Sequence, residues 1–389
     1  MKRLVILFLT ICLLLTLGAC GRRSKEETGL MKIGVLEPLS GKFAAEGMRE
    51  TLGIQYANNV QPTVKLGGRT YRVELMIRDD GSDPAQAAQA AQELVDGGCA
   101  VVLGSYGDEL SKAASDVFLA AGVPAVAATC SDASLTDGND HYFRIGALPE
   151  LQGSALAAYA KKTLGLKSVY CLARAGSETD ASLLRAFRAA AETLDLKVTA
   201  AEFPLNNTDF SFYLNAAKEE GAGAIFAPCE LHYAQRLIEQ AAETEGAVPF
   251  LADARWRDAA ILEALQETEL TVYVSAMYAE GADSSFDAGF KAWLSDNSEA
   301  LAYNGGTDAV TAQSVLGYDA YFTALNAAEM SKSADKADIL AILPSVRRDG
   351  SAGSFSFDAD GGAVRSALWI EKADPKTPAW TLAGTAKLG

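Results

Sequence analysis

Residues 101–128 read VVLGSYGDELSKAASDVFLAAGVPAVAA, in which a helical pattern separates two apolar runs. The two runs, residues 100–104 and 123–128, have the length and composition of buried strands. Residues 108–121, between them, carry apolar side chains at helical spacing. A strand, a helix and a second strand in this order predict parallel strands joined by a crossover helix, which is the unit of an α/β fold.

The same alternation continues on both sides of this unit. Residues 32–36 are a short apolar strand. Residues 82–95 form a helix that begins with a capping Ser or Asp and has a Pro in its first turn. After Pro149 a second series of strands and helices begins. We therefore predict an α/β protein with two doubly wound parallel-sheet lobes, completed by the helical stretch 309–330 and by strands within 353–370.

The chain begins with the features of a secretory signal peptide. Two basic residues precede an apolar run over residues 4–16, which is shorter than the roughly 20 residues of a membrane-spanning helix. The run ends in Leu-Gly-Ala-Cys, which resembles the bacterial lipobox, where cleavage falls before the cysteine and its sulfur carries a diacylglycerol. We predict a lipoprotein signal peptide over residues 1–19, then a lipidated Cys20 and a flexible tether over residues 20–30, on the extracytoplasmic side of the membrane. An ordinary signal peptide with an incidental cysteine is the alternative.

The composition limits the partners of the chain. It has 389 residues and a formal net charge of −16, which becomes −18 once Lys2 and Arg3 leave with the signal peptide. A chain this acidic is unsuited to nucleic acid, which needs basic patches. The hydrophobic fraction of 49% supports a large core, divided between two lobes.

Four cysteines remain outside the signal peptide and its lipidation site. They have no CxxC spacing, and each lies in or beside a strand-like run. We predict that they are small buried hydrophobic residues rather than a disulfide framework or a metal site. They are Cys99, Cys130, Cys171 and Cys229.

No motif indicates catalysis. The two histidines, His141 at a strand start and His232 at a helix start, have no partners in a recognisable catalytic pattern. The chain has no phosphate-binding loop and no dinucleotide-binding glycine pattern. Residues 79–83 superficially resemble a calcium loop but lack its later glutamate, and a turn before a helix cap explains them better. We predict no enzymatic activity, no cofactor and no metal.

Six stretches occur in the order found in a known family. They are KIGVLEPLSGKFAAEG, IRDDGSDPAQAAQAAQELV, VVLGSYGDELSKAASDVFLAAGVPAVAA, HYFRIGALPELQGSALAAYA, TDFSFYL and FLADARWRD. Together they resemble the branched-chain amino acid (Leu/Ile/Val) type of periplasmic substrate-binding protein of ABC transporters, from about residue 31 to residue 372.

The resemblance implies the type I periplasmic binding protein fold. Two α/β lobes, residues 31–148 plus 279–354 and residues 149–278 plus 355–386, would be joined by three crossovers. The lobes would close by a hinge around a small ligand, an amino acid or a related polar solute. The resemblance also implies ABC permease subunits as partners, and we expect a monomer.

The same resemblance implies candidate ligand-binding residues in the loops that follow parallel strands. In relatives, a serine at a helix N-terminus and a hydroxyl-bearing loop after the next strand hold the ligand's α-carboxylate. These positions fall on Asp108 and on Thr129–Ser131, and Asp253 matches the acid that accepts the ligand's ammonium. Several positions that are aromatic in relatives carry acidic residues here. The predicted set is Glu46, Ser105, Tyr106, Asp108, Glu109, Thr129, Cys130, Ser131, Ser177, Glu178, Glu230 and Asp253.

Asp108 is the most informative of these substitutions. Two like charges roughly 4 Å apart repel by about 4 kcal/mol at an effective dielectric near 20. That is half of the roughly 8 kcal/mol available to a micromolar complex. Either Asp108 turns away, or it is protonated, or the ligand has no carboxylate there; a plain helix N-cap is the alternative role. If Glu46, Glu109, Glu178 and Glu230 also face the cleft rather than solvent, the pocket favours a cationic or polyhydroxylated solute over leucine.

Two functions stay open at this point. The first is a solute-binding lipoprotein of an ABC importer, with Tyr106 and Trp256 as apolar walls of the cleft unless they belong to the core or surface. The second is a lipoprotein sensor or regulator of an envelope enzyme, which uses the same fold to bind a protein partner. The sequence does not name the solute.

Overall fold

The computed structural model describes residues 28–388. The predicted signal peptide, Cys20 and most of the predicted tether lie outside these residues. Within them, no helix is both long enough and apolar enough to cross a membrane.

The described residues alternate between strands and helices along most of their length. The strands are β1 (Gly29–Glu37), β2 (Thr63–Leu66), β3 (Arg69–Asp79), β4 (Val101–Gly104), β5 (Ala125–Ala127), β6 (Tyr142–Arg144), β7 (Ser168–Arg174), β8 (Lys197–Phe203), β9 (Ile225–Phe226), β10 (Phe250–Ala252), β11 (Val272–Ala276), β12 (Arg347–Gly350), β13 (Gly353–Phe357), β14 (Ala363–Arg365), β15 (Ala367–Asp374) and β16 (Thr377–Lys387). The helices are α1 (Ala44–Val60), α2 (Pro84–Asp96), α3 (Gly107–Ala121), α4 (Pro149–Lys162), α5 (Glu178–Thr193), α6 (Ser211–Glu219), α7 (Leu231–Ala242), α8 (Ala259–Ala264), α9 (Ser284–Asp296), α10 (Ser298–Tyr303), α11 (Ala312–Ser331) and α12 (Lys336–Ile342).

The first lobe is built on a six-stranded sheet in the order β2-β3-β1-β4-β5-β6. Parallel pairing runs from β3 through β1, β4 and β5 to β6. One face of this sheet packs against α1, α9 and α11, and the other face packs against α2 and α3. Helices on both faces of a parallel sheet make the doubly wound arrangement.

The second lobe is built on a seven-stranded sheet in the order β16-β15-β11-β10-β9-β7-β8. Helices α4 and α5 pack on one face, and α6, α7 and α8 pack on the other. The chain passes between the lobes after β6, after β11 and after β14. The predicted fold class, two doubly wound lobes joined by three crossovers, is confirmed.

Antiparallel strands extend the two sheets beyond their parallel centres. In the first lobe, β2 pairs antiparallel with β3 through the two-residue turn Gly67-Gly68, where both φ angles are positive (56° and 88°). Such turns match the twist of a hairpin, and glycine adopts them without steric cost. In the second lobe, β15 and β16 add antiparallel to β11. The sheets are therefore mixed, with the parallel strands at their centres.

The buried side chain of Arg365, at the third crossover, contacts the first crossover. Its guanidinium donates hydrogen bonds to the carbonyl of Ile145 at 2.8 Å (Nη2) and to the carbonyl of Ala352 at 2.9 Å (Nη1). Ile145 begins the first crossover, directly after β6. One side chain therefore ties the first crossover to the third.

Close packing of α1 against α11 depends on two glycines. A Cβ atom added to Gly53 would lie 1.8 Å from the carbonyl oxygen of Ser314, and one added to Gly317 would lie 2.2 Å from the carbonyl oxygen of Glu50. Neither contact is with a flexible side chain, so the helix backbones themselves would have to separate. This approach holds Glu50 beside the carboxyl ends of the first sheet's strands.

We predict that Gly53→Ala lowers the free energy of unfolding by about 2 kcal/mol or more, because overpacking a core contact that cannot relax costs roughly 1–3 kcal/mol. Chemical denaturation of the purified protein measures the change. Asn59→Ala, at an exposed position of the same helix, is the control and should change stability by less than about 0.5 kcal/mol. Equal stability of Gly53→Ala and the wild type would contradict the packing role of this glycine.

Candidate ligand-binding site

Loops at the ends of parallel strands form the candidate site in the first lobe. Strand β1 ends at Glu37, β4 ends at Gly104, and β5 ends at Ala127. Because β4 leads almost directly into α3, the first turn of α3 lies at this edge of the sheet together with the loop that follows β5. In open α/β sheets, this edge offers unpaired backbone N–H groups and helix N-termini to ligands.

The carboxylate of Asp108, in the first turn of α3, lies against the loop after β5. Its Oδ1 accepts hydrogen bonds from the backbone N–H of Ser131 at 2.8 Å, from the backbone N–H of Asp132 at 2.9 Å and from Sγ of Cys130 at 2.8 Å. Its Oδ2 accepts a longer bond from the Ser131 hydroxyl at 3.4 Å. Burial, with the neighbouring Asp108 charge, raises the pKa of the Cys130 thiol, so this thiol stays protonated and donates. We call the three donors to Oδ1, namely the thiol of Cys130 and the backbone N–H groups of Ser131 and Asp132, the anion cradle.

Asp108 does not cap its helix. Tyr106 holds the N-cap position of α3 and makes no side-chain capping bond, whereas Asp108 is the second residue of the helix. The N-cap alternative is therefore wrong. The Asp108 side chain turns to the loop and fills the cradle instead.

A second contact ties the same loop to α3. Lys112, one helical turn after Asp108, donates to the Asp132 carboxylate at 2.5 Å. This hydrogen bond lowers the pKa of Asp132 to about 2. Both side chains are about 40% exposed (42% and 38%), so the pair contributes at most about 1 kcal/mol. The Lys112–Asp132 pair thus attaches the loop to α3 without using the cradle.

Three buried carboxyl groups lie beneath this edge, on Glu37, Glu50 and Asp80. Asp80 accepts a hydrogen bond from the Ser105 hydroxyl at 2.5 Å, and Glu50 accepts one from the Thr129 hydroxyl at 2.9 Å. Among the described residues, no group donates a hydrogen bond of ordinary geometry to either oxygen of Glu37. Burial, and then the charge of Glu50, raises the pKa of Glu37 well above its ordinary value, while burial raises the pKa of Glu50 to about 7. At neutral pH the pair therefore retains at least one proton.

Thr129 connects the buried pair to the cradle. Its hydroxyl donates to Glu50 and accepts the backbone N–H of Gly107 at 3.2 Å. Gly107 is the first residue of α3 and precedes Asp108. The position of the cradle's carboxylate is therefore supported from below by the Glu37–Glu50 pair.

An aromatic and acidic wall stands beside the cradle. The ring of Tyr106 packs against Phe43 with centroids 5.7 Å apart, and burial, together with the Glu46 charge, raises the pKa of Tyr106 to about 12. Lys42 lies over the Phe43 ring at 4.5 Å and 3.8 Å from the carboxylate of Glu109, with both charged side chains exposed.

At the second lobe's strand ends, Arg255 pairs with two buried acids. Its Nε and Nη2 donate to the two oxygens of Asp253 at 2.8 and 2.9 Å, and Nη2 also donates to Asp180 at 3.0 Å. Asp180 and Asp253 are buried, whereas the Arg255 side chain is 32% exposed. Bidentate pairs of this kind are among the stronger hydrogen-bonded ion pairs. The acid that the sequence predicts as the acceptor of a ligand's ammonium therefore already holds a cation of the chain itself.

A second ion pair adjoins the first. Arg174, the last residue of β7, binds Glu230, the residue before α7, with Nη2 2.9 Å from Oε1. Partial burial opposes ionisation of Glu230, but the hydrogen bond from Arg174 lowers its pKa. Two guanidinium groups and three carboxylates thus line this edge of the second lobe.

The sequence of these residues matches a known protein family. Residues 31–378 match the family model described as periplasmic binding protein. This chain belongs to the periplasmic binding protein family.

Named relatives of this periplasmic binding protein agree with the predicted subtype. The Leu/Ile/Val-binding protein homolog 6 of Brucella suis is 28% identical over 268 residues, and the match covers 66% of each protein, slightly less than two thirds of the relative's length. The structure of the leucine binding protein LivK from Thermotoga maritima has a TM-score of 0.69 at 24% identity and covers 92% of this chain and 99% of that one. The solute binding protein of an ABC transporter from R. palustris, in complex with 4-hydroxybenzoate, has a TM-score of 0.69 at 22% identity and covers 92% and 97%. These likenesses confirm the predicted family and its fold.

The structure distributes the predicted site residues of this periplasmic binding protein over several environments. It brings Asp108, Thr129, Cys130 and Ser131 together in and beneath the cradle, with Tyr106 and Glu46 beside them. Ser105 is buried against Asp80, and Glu109 is exposed. Asp253 and Glu230 lie at the strand ends of the second lobe, each paired with an arginine.

Two predicted residues at the start of α5 have local roles. Ser177 caps the helix by accepting the backbone N–H of Asp180 at 3.3 Å. Glu178 is 85% exposed and pairs with Arg185 on the same helix.

Trp256 belongs to the core of the second lobe. Its ring is completely buried, packs against Phe250 and donates from Nε1 to the carbonyl of Cys229 at 2.9 Å. The interpretation of Trp256 as a wall of the cleft is therefore wrong.

The cysteines and the other potential metal ligands were also compared with their predicted roles. Cys99, Cys130, Cys171 and Cys229 are buried and free of disulfide bonds, which confirms their prediction as small buried residues. Among residues 28–388, no cluster of three or more His, Cys, Asp or Glu side chains could hold a metal ion. The turn at residues 79–83 leads into α2, which Asp83 caps with bonds to Ala85 and Gln86.

Sequence reasoning missed Arg255, the cationic partner of Asp253, and the buried acids Glu37, Glu50 and Asp180. Glu37 could have been noticed because it ends a strand that is apolar apart from Lys32, and Arg255 because it stands two residues after Asp253. Glu50 and Asp180 gave no such signal, because each is an ordinary acidic residue in a helical pattern. Their burial is decided by how the helices pack.

We predict that Arg255→Ala lowers the free energy of unfolding by about 2–3 kcal/mol, because it leaves two buried carboxylates without their cation. Arg185→Ala, which removes the exposed partner of Glu178, should cost less than about 0.5 kcal/mol. Chemical denaturation of both variants at pH 7 measures the contrast. A similar small cost for both would contradict a tightly held Arg255.

We also predict that Glu50 makes stability depend on pH. Its pKa is raised in the folded protein from 4.5 to about 7, so the folded state keeps a proton that the unfolded chain has already lost. Stability conferred by this group is present below pH 4.5 and is lost as the pH rises to 7. Glu50→Gln removes this titration and should gain stability relative to the wild type over that window, by up to about 3 kcal/mol.

Denaturation midpoints of both proteins at half-unit steps from pH 4.5 to pH 8 test this. Glu109→Gln, which changes an exposed carboxylate, is the control and should follow the wild-type profile. Parallel profiles for Glu50→Gln and the wild type would refute the role of Glu50.

Proposed function

We propose that this periplasmic binding protein is the extracytoplasmic, lipid-anchored solute-binding component of an ABC importer, with no catalytic activity of its own. It captures a small polar solute between the strand-end loops of its two lobes and delivers it to permease subunits. Family membership and the neighbours' fold support solute binding. Anchoring at Cys20, the lobe boundaries 31–148 plus 279–354 and 149–278 plus 355–386, hinge closure and a monomeric state are parts of the proposal.

The single observation that carries the proposal is the charged lining at the strand ends of both lobes. Loops after β1, β4 and β5 in one lobe and after β7, β9 and β10 in the other carry polar and charged side chains, many of them buried. Buried charged groups are costly unless they are paired or serve a ligand. Arg365 ties the first crossover to the third, so the crossovers would act as the hinge. A hinge motion there would enclose a solute between the two strand-end edges.

The charges at these edges favour a neutral polar or cationic solute. Beside the cradle stand the carboxylates of Glu46, Asp108, Glu109 and Asp132 against the two ammonium groups of Lys42 and Lys112. At the second lobe, three carboxylates face two guanidinium groups. A solute with an additional carboxylate would meet net repulsion, which is appreciable for charges a few ångströms apart. Leucine, for which the Thermotoga maritima protein is named, and 4-hydroxybenzoate, which the R. palustris protein binds, each bring such a carboxylate.

We predict that the melting temperature of the purified wild-type protein rises with a neutral polar or cationic solute and does not rise with leucine or 4-hydroxybenzoate. A ligand at 100 times its dissociation constant adds about 2.7 kcal/mol of stability, which a thermal shift assay detects readily. The panel consists of leucine, 4-hydroxybenzoate, putrescine, spermidine, choline and neutral sugars. Tight binding of leucine by the wild type would exclude the proposed ligand class.

Asp108 and Arg255 each already have partners within the chain. This internal pairing also favours a second candidate, a lipoprotein that regulates an envelope enzyme by binding it. A site whose charges are already satisfied needs no solute. In that case no member of the panel shifts the melting temperature, and the isolated protein binds one envelope enzyme with a defined stoichiometry. A saturable shift with a single solute favours the importer component.

A further inference from the structure

The anion cradle is a complete binding site for one carboxylate. Three donors, two consecutive backbone N–H groups and one thiol, converge on a single oxygen of Asp108 at 2.8–2.9 Å. Consecutive backbone N–H groups that point into one concavity bind anions in many proteins. Hydrogen bonds to an ionised acceptor are shorter and stronger than neutral ones, and these distances have that character.

The carboxylate in the cradle and its donors come from different segments of the chain. The donors belong to the loop after β5, whereas Asp108 belongs to α3, which follows β4. Asp108, Ser131 and Asp132 are all partly exposed, so the cradle lies at the surface of this edge rather than in the core. A solute carboxylate could reach the same donors if the Asp108 side chain were absent.

The loop after β5 is held by other contacts besides those of Asp108. The Lys112–Asp132 pair joins the same loop to the same helix one turn further on, without using the cradle. Thr129 holds the loop from below through Glu50 and the backbone of Gly107. Contacts other than those of Asp108 therefore also attach the loop to α3.

We infer that Asp108 is the specificity-determining residue of the first lobe: it is a built-in occupant that fills the anion cradle and thereby excludes solutes that carry a carboxylate. This inference rests on the proposed function and adds to it the group that rejects one class of ligand. Removing the Asp108 carboxylate leaves three donors unpaired, and a carboxylate from solution takes its place.

The test uses Asp108→Ala and Asp108→Ser, with sodium acetate as the probe. Both variants should melt below the wild type, and acetate should restore their melting temperatures saturably, beyond the effect of sodium chloride at equal ionic strength. The wild type should show no acetate-specific rise. In calorimetry, Asp108→Ser should bind leucine or 4-hydroxybenzoate at least tenfold more tightly than the wild type does.

Two further variants separate the cradle from general loosening of the loop. Lys112→Ala removes the other attachment of the loop and should show no acetate-specific rise. Asp108→Asn keeps an oxygen acceptor in the cradle and should likewise show none. An acetate response of Lys112→Ala equal to that of Asp108→Ala overturns the inference, as does the absence of any acetate response in both Asp108→Ala and Asp108→Ser.

Folding failure of the variants is also informative. If Asp108→Ala and Asp108→Ser refold only when acetate is present, the inference is supported, because acetate replaces the missing group. If neither refolds with acetate while Asp108→Asn does, Asp108 is a structural tether and the inference is overturned.

The outcome is separable from that of the proposed function. Acetate rescue of the variants, together with no wild-type response to any solute of the panel, supports the built-in carboxylate and counts against solute capture. A wild-type response to one neutral or cationic solute without acetate rescue supports solute capture and overturns the role of Asp108.

Discussion

Backbone N–H groups at the carboxyl ends of parallel strands must find an acceptor, and in this protein the chain provides one. The loop after β5 presents the N–H groups of Ser131 and Asp132, and the Asp108 carboxylate accepts both. A buried or half-buried N–H group without a partner costs about as much as a lost hydrogen bond. In this structure a single side chain, that of Asp108, therefore satisfies both donors.

The support beneath this loop comes from helix packing as much as from the sheet. Gly53 and Gly317 let α1 and α11 approach so closely that Glu50 is carried under Thr129. Glu50 then shares a dry environment with Glu37, and the pair keeps a proton that an exposed glutamate would lose. This arrangement costs stability at neutral pH. Through Thr129, Glu50 holds the first turn of α3 and the loop together.

In the second lobe, too, groups of the chain itself satisfy the charges at the strand ends, but here arginines neutralise carboxylates. There, the buried carboxylates of Asp180 and Asp253 are neutralised by Arg255, and Glu230 is neutralised by Arg174. Each lobe thus pairs charged groups at its own strand ends. Under the proposed function, the captured solute has few charges of its own or an excess of positive charge. The same self-sufficiency suits a domain that binds a protein partner at its rim.

The sequence by itself determined the fold class, the family and the position of the unusual residue. Strand and helix periodicity needs only local spacing, and the ordered motifs at residues 32–47, 77–95 and 101–128 identify the family without any coordinates. The direction of the Asp108 side chain, the burial of Glu50 and the pairing of Arg255 with Asp180 were decided only by tertiary structure. Asp180 and Arg255 lie 75 residues apart in the chain, and Asp108 lies 23 residues from Ser131. Such contacts depend on which loops the sheet order brings together, and a linear pattern of residue types does not encode side-chain direction.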